Sequence, residues 1–509
     1  MGLRQKINEF FTWAESACVP HPELTTLRAV LQARRSAVDQ PMRVAIVGAT
    51  NAGKSTLVNA FLGENRAAVA NGEMTQLVTW FKYGDTRRLV IRWVDREPTE
   101  EAFEELVRLT TPGGIPSALA ASIQCVEVYC PLPILRYFDL LDTPGLHSFY
   151  ESESRHTAIL LHSEHARPHA MVYVYSNTVT EHAVKDLERF QKACGSLASG
   201  ITAIGVKSKI DENPREPNPI GQGQRAIDSL QASHPQTRLY FYTILPVAGL
   251  VAVGAQSLNA EQLEALQVLA TLPEATRILL RALPGAALPP DMPAPEQAVR
   301  VRLGEVLGKY GLWLAMERLR ENPGCDIVAE LLQASNFGRL REIVIAHFGN
   351  RAFLIKARSA LSFVRDQAYA VAWREMGDAR IVAHQIAGRI DRISLDEIRF
   401  REFDLLERRY SDRLPIEKAE IEELLRVSGE HGTDCRARLG MPPETPAPEL
   451  HARARARERY WRATGNMNTS SGLSKVAHVL ADSYDMLAAT IAAAIAEPVR
   501  AEEILQYEL

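Results

Sequence analysis

The chain has 509 residues, with 58 Lys and Arg against 62 Asp and Glu, a formal net charge of −4, 46% hydrophobic and 24% charged residues. That balance is the globular average and excludes a disordered chain; a dedicated nucleic-acid coat, which would be strongly basic, is excluded with it. The length predicts about two to four domains. Cys18, Cys125, Cys130, Cys194, Cys325 and Cys435 show no CxxC pair and no metal-ligand spacing, the usage expected in a reducing cytosol. The amino-terminal stretch has no long apolar run to mark a signal peptide. The longest weakly apolar stretches, 244–254 and 486–496, are about half the ~20 residues of a bilayer crossing, so no transmembrane segment is expected.

In chain order, Leu3, Ile7, Phe10, Phe11 and Ala14 carry helical spacing, and a second helical stretch runs from 23 to 37 before Pro41 breaks it. Short β-rich runs then alternate with helical windows: 42–47, 77–83, 89–94, 123–130, 137–142, 171–175, 201–206 and 238–247. The alternation predicts an α/β domain with a mostly parallel sheet over 41–256. Residues 284–296 hold five prolines in thirteen positions and read as a neck or linker within 257–300. From 301 to 509 helical periodicity dominates, in windows 298–320, 325–346, 350–377, 380–390, 395–410 and 415–428. The reading is an elongated all-α trunk that the helices of 1–40 join.

Between the first strand and its helix lies Gly48-Ala49-Thr50-Asn51-Ala52-Gly53-Lys54-Ser55-Thr56, the G-x-x-x-x-G-K-[ST] pattern of a P-loop. Gly48 and Gly53 permit the tight turn, the amides through Ala52, Gly53, Lys54, Ser55 and Thr56 point at a phosphate chain, and the following helix aims its positive end there. Lys54 is expected on the β- and γ-phosphates and Ser55 on Mg²⁺. Asp142-Thr143-Pro144-Gly145 ends a strand about 85 residues later. It matches the D-x-x-G element of GTPases, with Asp142 holding the Mg²⁺ shell and Gly145 meeting the γ-phosphate. Thr75 and Thr79 are the candidates for the switch threonine that ligates Mg²⁺, and Thr75 is preferred because Thr79 falls on a strand. Ser208-Lys209-Ile210-Asp211 stands where Asn-Lys-x-Asp is usual: Asp211 would accept from guanine, Lys209 would lie along the base, and the shorter Ser208, where an Asn usually ties this loop to the P-loop, is expected to loosen binding more than specificity. Val247 and Ala248 are placed to offer backbone N–H groups to guanine O6. Leu146 follows Gly145 where a water-orienting glutamine is familiar, so catalytic charge must come from elsewhere. Asn51 either stabilises the loop turn or, as in GxxNxGKS loops, helps hold a K⁺ ion.

Taken together, GATNAGKSTLVNAFLG, EMTQLVTWFKYG, LLDTPGLHS, IGVKSKIDE and LPVAGLVA resemble the bacterial dynamin-like GTPases, within them the mycobacterial isoniazid-inducible group and its shorter member type. The likeness continues through LGKYGLWLAMERL, NFGRLREIVIAHFGNRAFLIKARSAL, CRARLGM and RERYWR, covering most of 40–480. It implies a GTPase domain packed on a bundle built from both chain ends, binding of GTP and GDP with Mg²⁺, self-association through GTPase domains, and membrane binding or remodelling from the inner face of the plasma membrane. A dynamin-like paralogue is the alternative partner, making the chain a GTP-gated scaffold that touches no lipid; a ribosome-assembly GTPase is the more distant reading. Two segments are weighed for lipid contact. The run His451–Arg462 is basic with aromatics at its end, although such runs are more often solvated or paired faces. Arg351–Met376 sets Phe353, Phe363, Tyr369 and Trp373 at a spacing that reads as bundle core, as do Phe10, Phe11 and Trp13.

Overall fold

The computed structural model describes residues 2–49, 51–63, 77–111, 113–143, 168–176, 200–212, 217–235, 237–410, 417–467 and 471–505. The described strands are β1 (Arg43–Gly48), β2 (Thr79–Tyr83), β3 (Arg88–Trp93), β4 (Thr99–Glu101), β5 (Ile123–Cys130), β6 (Asp139–Asp142), β7 (Ala170–Tyr175), β8 (Ala203–Lys207) and β9 (Thr243–Pro246). They form one sheet in the order β4-β3-β5-β2-β6-β1-β7-β8-β9. From β6 to β9 all neighbours are parallel, so five carboxyl ends share one edge. Every residue of β1 is buried, as a central parallel strand covered on both faces requires. The run 238–247 is only partly strand, since Thr237–Tyr240 is helical. Its apolar residues do not alternate, and periodicity alone cannot separate a buried helix turn from a buried strand.

Around the sheet, the helices that matter below are α1 (Leu3–Cys18), α2 (Thr25–Asp39) and α3 (Lys54–Leu62). Past two short helices, α4 (Glu105–Thr110) and α5 (Ser117–Ser122), come α6 (Pro219–Ser233), α7 (Thr237–Tyr240) and α8 (Gly249–Ser257). Then follow α9 (Ala260–Ala270), α10 (Glu274–Ala282), α11 (Gln297–Glu321), α12 (Ile327–Ala334) and α13 (Phe337–Val344). A π-helical turn, Ile345–Gly349, leads into α14 (Ala352–Arg374), and α15 (Gly377–Asp396) returns antiparallel to it. The window 325–346 is therefore two helices and not one, because Asn336 sits in the left-handed region at φ 58° and breaks the run. The proline-rich stretch is pinned: buried Arg300 donates to the carbonyls of Pro284 (3.3 Å), Ala286 (2.7 Å) and Pro295 (2.5 Å).

α1, α2, α14 and α15 pack in a ring, each touching the next. Phe10, Phe11 and Phe353 are in its core, and Trp13 lies half-buried under the Arg389 guanidinium at 3.6 Å. Trp373 departs from the core reading. It is 84% exposed on the last turn of α14, where the adjacent Ala372 takes the buried side of the helix.

The basic run 451–462 lies on α19 (Ala447–Met467), which follows α16 (Ile398–Tyr410), α17 (Lys418–Val427) and α18 (Cys435–Leu439). It packs along α20 (Ser471–Ala496). Its charges are largely satisfied within the bundle: Arg455 pairs with Asp485 (2.5 Å) and Glu458 (3.1 Å), Arg462 with Glu458 (2.9 Å), and Arg457 with Glu423. Trp461 is fully buried and donates its indole N–H to Glu423 at 3.0 Å. Arg455, Arg457 and Arg462 are thus paired within the bundle and Trp461 belongs to its core, while Arg453, Arg459 and Tyr460 are exposed. Among the described residues one helix, Gly472–Ala496, is long and apolar enough to cross a membrane, and half of its most apolar window is buried in the bundle.

Candidate nucleotide site

The site is assembled where the parallel strands end, the edge at which open α/β sheets bind ligands. β1 delivers the P-loop. Gly48 has φ 153°, and a Cβ there would stand 2.1 Å from the Val174 carbonyl oxygen of β7, so the loop leaves the sheet through a gap only glycine fits. At Gly53 the space is open but φ is 92°, which again favours glycine. Asn51 is exposed at φ 60°, a conformation asparagine tolerates better than most residues. Ala52 donates to Ala49 O at 3.2 Å and closes the turn that starts α3. Lys54, the first residue of α3, is 8% exposed and its ammonium donates to Ala49 O at 2.9 Å. Burial lowers its pKa, and the nearby Asp142 carboxylate opposes that shift. Ser55 and Thr56 follow on the same first turn, both half-buried.

β6 ends beside β1, with Asp142 in register with Ile46. Asp142 is 2% exposed and Thr143 fixes the strand end by donating to Ile46 O at 2.7 Å. A buried carboxylate and a helix-start hydroxyl are hard oxygen donors of the kind Mg²⁺ takes, so Ser55 and Asp142 fit that ion. When bound with nucleotide, Mg²⁺ supplies charge between the β- and γ-phosphate oxygens. Thr79 stands opposite Asp142 on the antiparallel β2, buried. Thr75 and Gly145 lie outside the described residues.

The loop after β8 meets the P-loop directly. The Ser208 hydroxyl lies 2.6 Å from Ala52 O and 3.1 Å from Tyr175 O, and the Ser208 amide donates to Tyr175 O at 2.9 Å. The loops approach closely enough for the shorter side chain to reach the P-loop backbone. Lys209 turns through φ 55° and pairs with Glu212 at 2.8 Å. Desolvation pushes the Asp211 carboxyl up to about 6, against the opposing backbone hydrogen bond and Lys209. A guanine edge needs the ionised form as acceptor, so GDP affinity is expected to fall as pH drops through about 6, by up to about tenfold per unit. Titrating the Kd from pH 7.5 to 5 checks this, with Asp211→Asn flattening the profile; a wild-type Kd that does not change over that range contradicts the assignment.

Val247 and Ala248 are placed at this edge, but their amides are committed elsewhere. Val247 N–H donates to Lys207 O at 2.9 Å and Ala248 N–H to Ser335 O at 3.0 Å. Ser335 and Asn336 were missed because they sit some ninety residues away in a helical window. The Ser-Asn pair ahead of Phe337 is a helix-start signal that marks the break.

Residues 43–200 match the family described as 50S ribosome-binding GTPase. The chain is similar to the isoniazid-induced protein IniC of Mycobacterium tuberculosis, 28% identical over 482 residues that cover 91% of this chain and 90% of the relative. It is also similar to IniA of the same species, 28% identical over 242 residues, 47% of this chain and 35% of the relative. A solved structure titled "An oligomerised bacterial dynamin pair provides a mechanism for the long range sensing and tethering of membranes" overlays at TM-score 0.33 with 11% identity, covering 97% of this chain and 92% of that one.

Proposed function

We propose that the chain, whose residues 43–200 match a GTPase family, hydrolyses GTP as a dynamin-like, Mg²⁺-dependent enzyme whose GTPase domains associate, and that it couples turnover to a lipid surface through the tip of the α14–α15 hairpin. The organisation behind this is a GTPase domain over 41–256, a neck over 257–300, and a trunk of 301–509 joined by 1–40. The supporting observation is the cluster at that tip. Trp373 and Met376 are each 84% exposed, Ile381 is 53% exposed, and Val19, in the turn between α1 and α2, is 59% exposed. α14 spans about 34 Å at 1.5 Å per residue. It begins at the GTPase domain, where Lys356 donates to Gln40 O just before β1, and carries the cluster to the far end. Exposed Trp and Met rimmed by Arg374 and Arg380 have the make-up of an interfacial contact.

GTP turnover in K⁺ and in Na⁺ buffer, with and without anionic liposomes, tests the reading when the same samples are sedimented. K⁺ is expected to raise turnover if Asn51 helps hold the ion. Liposomes are expected to co-sediment the protein, and Trp373→Ser with Met376→Ser to abolish that while leaving lipid-independent turnover unchanged. Turnover with no sedimentation would shift the reading to a GTP-gated scaffold working through a protein partner.

A further inference from the structure

The helical half of the chain grips the GTPase sheet at both edges. At the carboxyl edge the turn between α12 and α13 straddles Val247: Ser335 O accepts from Ala248 N–H at 3.0 Å, and the Asn336 side-chain amide donates to Pro246 O at 2.9 Å. Ser335 is fully buried, its hydroxyl donating to Leu332 O (2.6 Å) and accepting from Phe337 N–H (3.1 Å). The next residue, Phe337, meets Phe61 of the P-loop helix edge-to-face at 5.1 Å. At the amino edge, His347 reaches Ile201 O at 2.6 Å and stacks on Tyr242 at 3.6 Å. Eleven residues separate Asn336 from His347, about 16 Å of helix, close to the ~16 Å span of a five-residue strand such as β8. α13 and its π-helical turn therefore run the depth of the sheet, held at each end.

We infer that Ser335 and Asn336 are positioning residues for the base-contacting loop, so that guanine-nucleotide affinity is set by where the helical half holds α13. This rests on the nucleotide-site reading above. With Val247 N–H on Lys207 O, the two bonds from the turn hold the segment on either side of Val247, at Pro246 O and at Ala248 N–H. The loop cannot shift relative to α13 without breaking them. The coupling is reciprocal: nucleotide that favours one placement of the loop favours the same placement of α13, and α14 continues from α13 through the π-helical turn to the exposed tip.

Asn336→Gly is the discriminating variant, because glycine keeps the φ of 58° at no cost and removes only the side-chain donor. Binding and release of a fluorescent GDP are measured on the full chain, beside the apo melting temperature and steady-state GTP kinetics. The expected result is a five- to tenfold weaker Kd for GDP, carried by faster release, and a raised KM with kcat changed by less than about twofold. Arg341→Ala, exposed on the same helix, should bind as wild type. If Asn336→Gly melts markedly lower, the isosteric Asn336→Asp, which sets a carboxylate against Pro246 O, must weaken GDP by at least as much. A Kd within twofold of wild type for Asn336→Gly, or equal losses in Arg341→Ala, overturns the inference alone. A wild-type chain that binds no guanine nucleotide overturns the site reading and the inference with it.

Discussion

Lys54→Ala is expected to slow GTP turnover at saturating nucleotide by about 10²–10³-fold, the scale of removing one preorganised charge from a transition state. Lys54 is the one basic side chain of the P-loop and stands, almost wholly buried, on the first turn of α3 with the Asp142 carboxylate near it. In so dry a position an ammonium acts at low effective dielectric, which is why burial depresses its pKa and why a phosphate chain would gain more from it than from an exposed lysine. Single-turnover hydrolysis separates the loss of chemistry from the loss of binding. A rate within tenfold of wild type would show that Lys54 does not serve the phosphates.

Arg351→Met is expected to destabilise the folded chain by about 3–5 kcal/mol, the usual consequence of leaving a buried charge without its partner. Arg351 is completely buried at the start of α14. It donates to Ser428 O (3.0 Å), Ser428 Oγ (3.0 Å), Glu430 (2.8 Å) and His347 Nδ1 (2.9 Å). Arginine only donates, so His347 Nδ1 accepts and Nε2 carries the proton given to Ile201 O. His347 is thereby fixed as the neutral tautomer, and desolvation together with the Arg351 charge holds its pKa down at about 3. Burial pushes the Glu430 carboxyl up, but the Arg351 charge and the Tyr242 hydroxyl outweigh it and hold the pKa below the usual carboxylate range. The network joins Tyr242 and Ile201 of the sheet's amino edge to helices from two distant parts of the chain, so its loss also loosens the grip at that edge. Denaturant unfolding measures the effect. The paired change Arg351→Met with Glu430→Gln should recover much of the loss, since it removes the stranded carboxylate, and a single variant within 1 kcal/mol of wild type would contradict this account.

Comparing the two halves of the chain shows where sequence reasoning reaches. The P-loop, the D-x-x-G strand end and the parallel strands from β6 to β9 were readable because each depends on near neighbours: glycines at fixed offsets, a strand before and a helix after, an apolar run of strand length. The helical character of 301–509 was readable for the same reason, and the likeness to the isoniazid-inducible group spans nine-tenths of the chain. What escaped was every feature whose partner lies far along the chain. Arg455, Arg457 and Arg462 look free in sequence and are tied to Asp485, Glu423 and Asp482 in space. Trp373 has core spacing and stands exposed on the last turn of its helix.

Ser208 and the two amides at Val247 and Ala248 carry the same lesson into the site. Residue type alone predicted looser binding at the first and donors for the base at the others. The Ser208 hydroxyl reaches the P-loop backbone, and the Ser335–Asn336 turn claims one of the amides. The sequence by itself determined the chemistry on offer and the local elements that present it, because propensity, periodicity and glycine conformations act within a few residues. Which buried charges are paired, which amides are spent, and which helix holds the base loop were decided only by tertiary structure. Those are properties of surfaces brought together from segments as far apart as Gln40 and Lys356, and no local pattern records them.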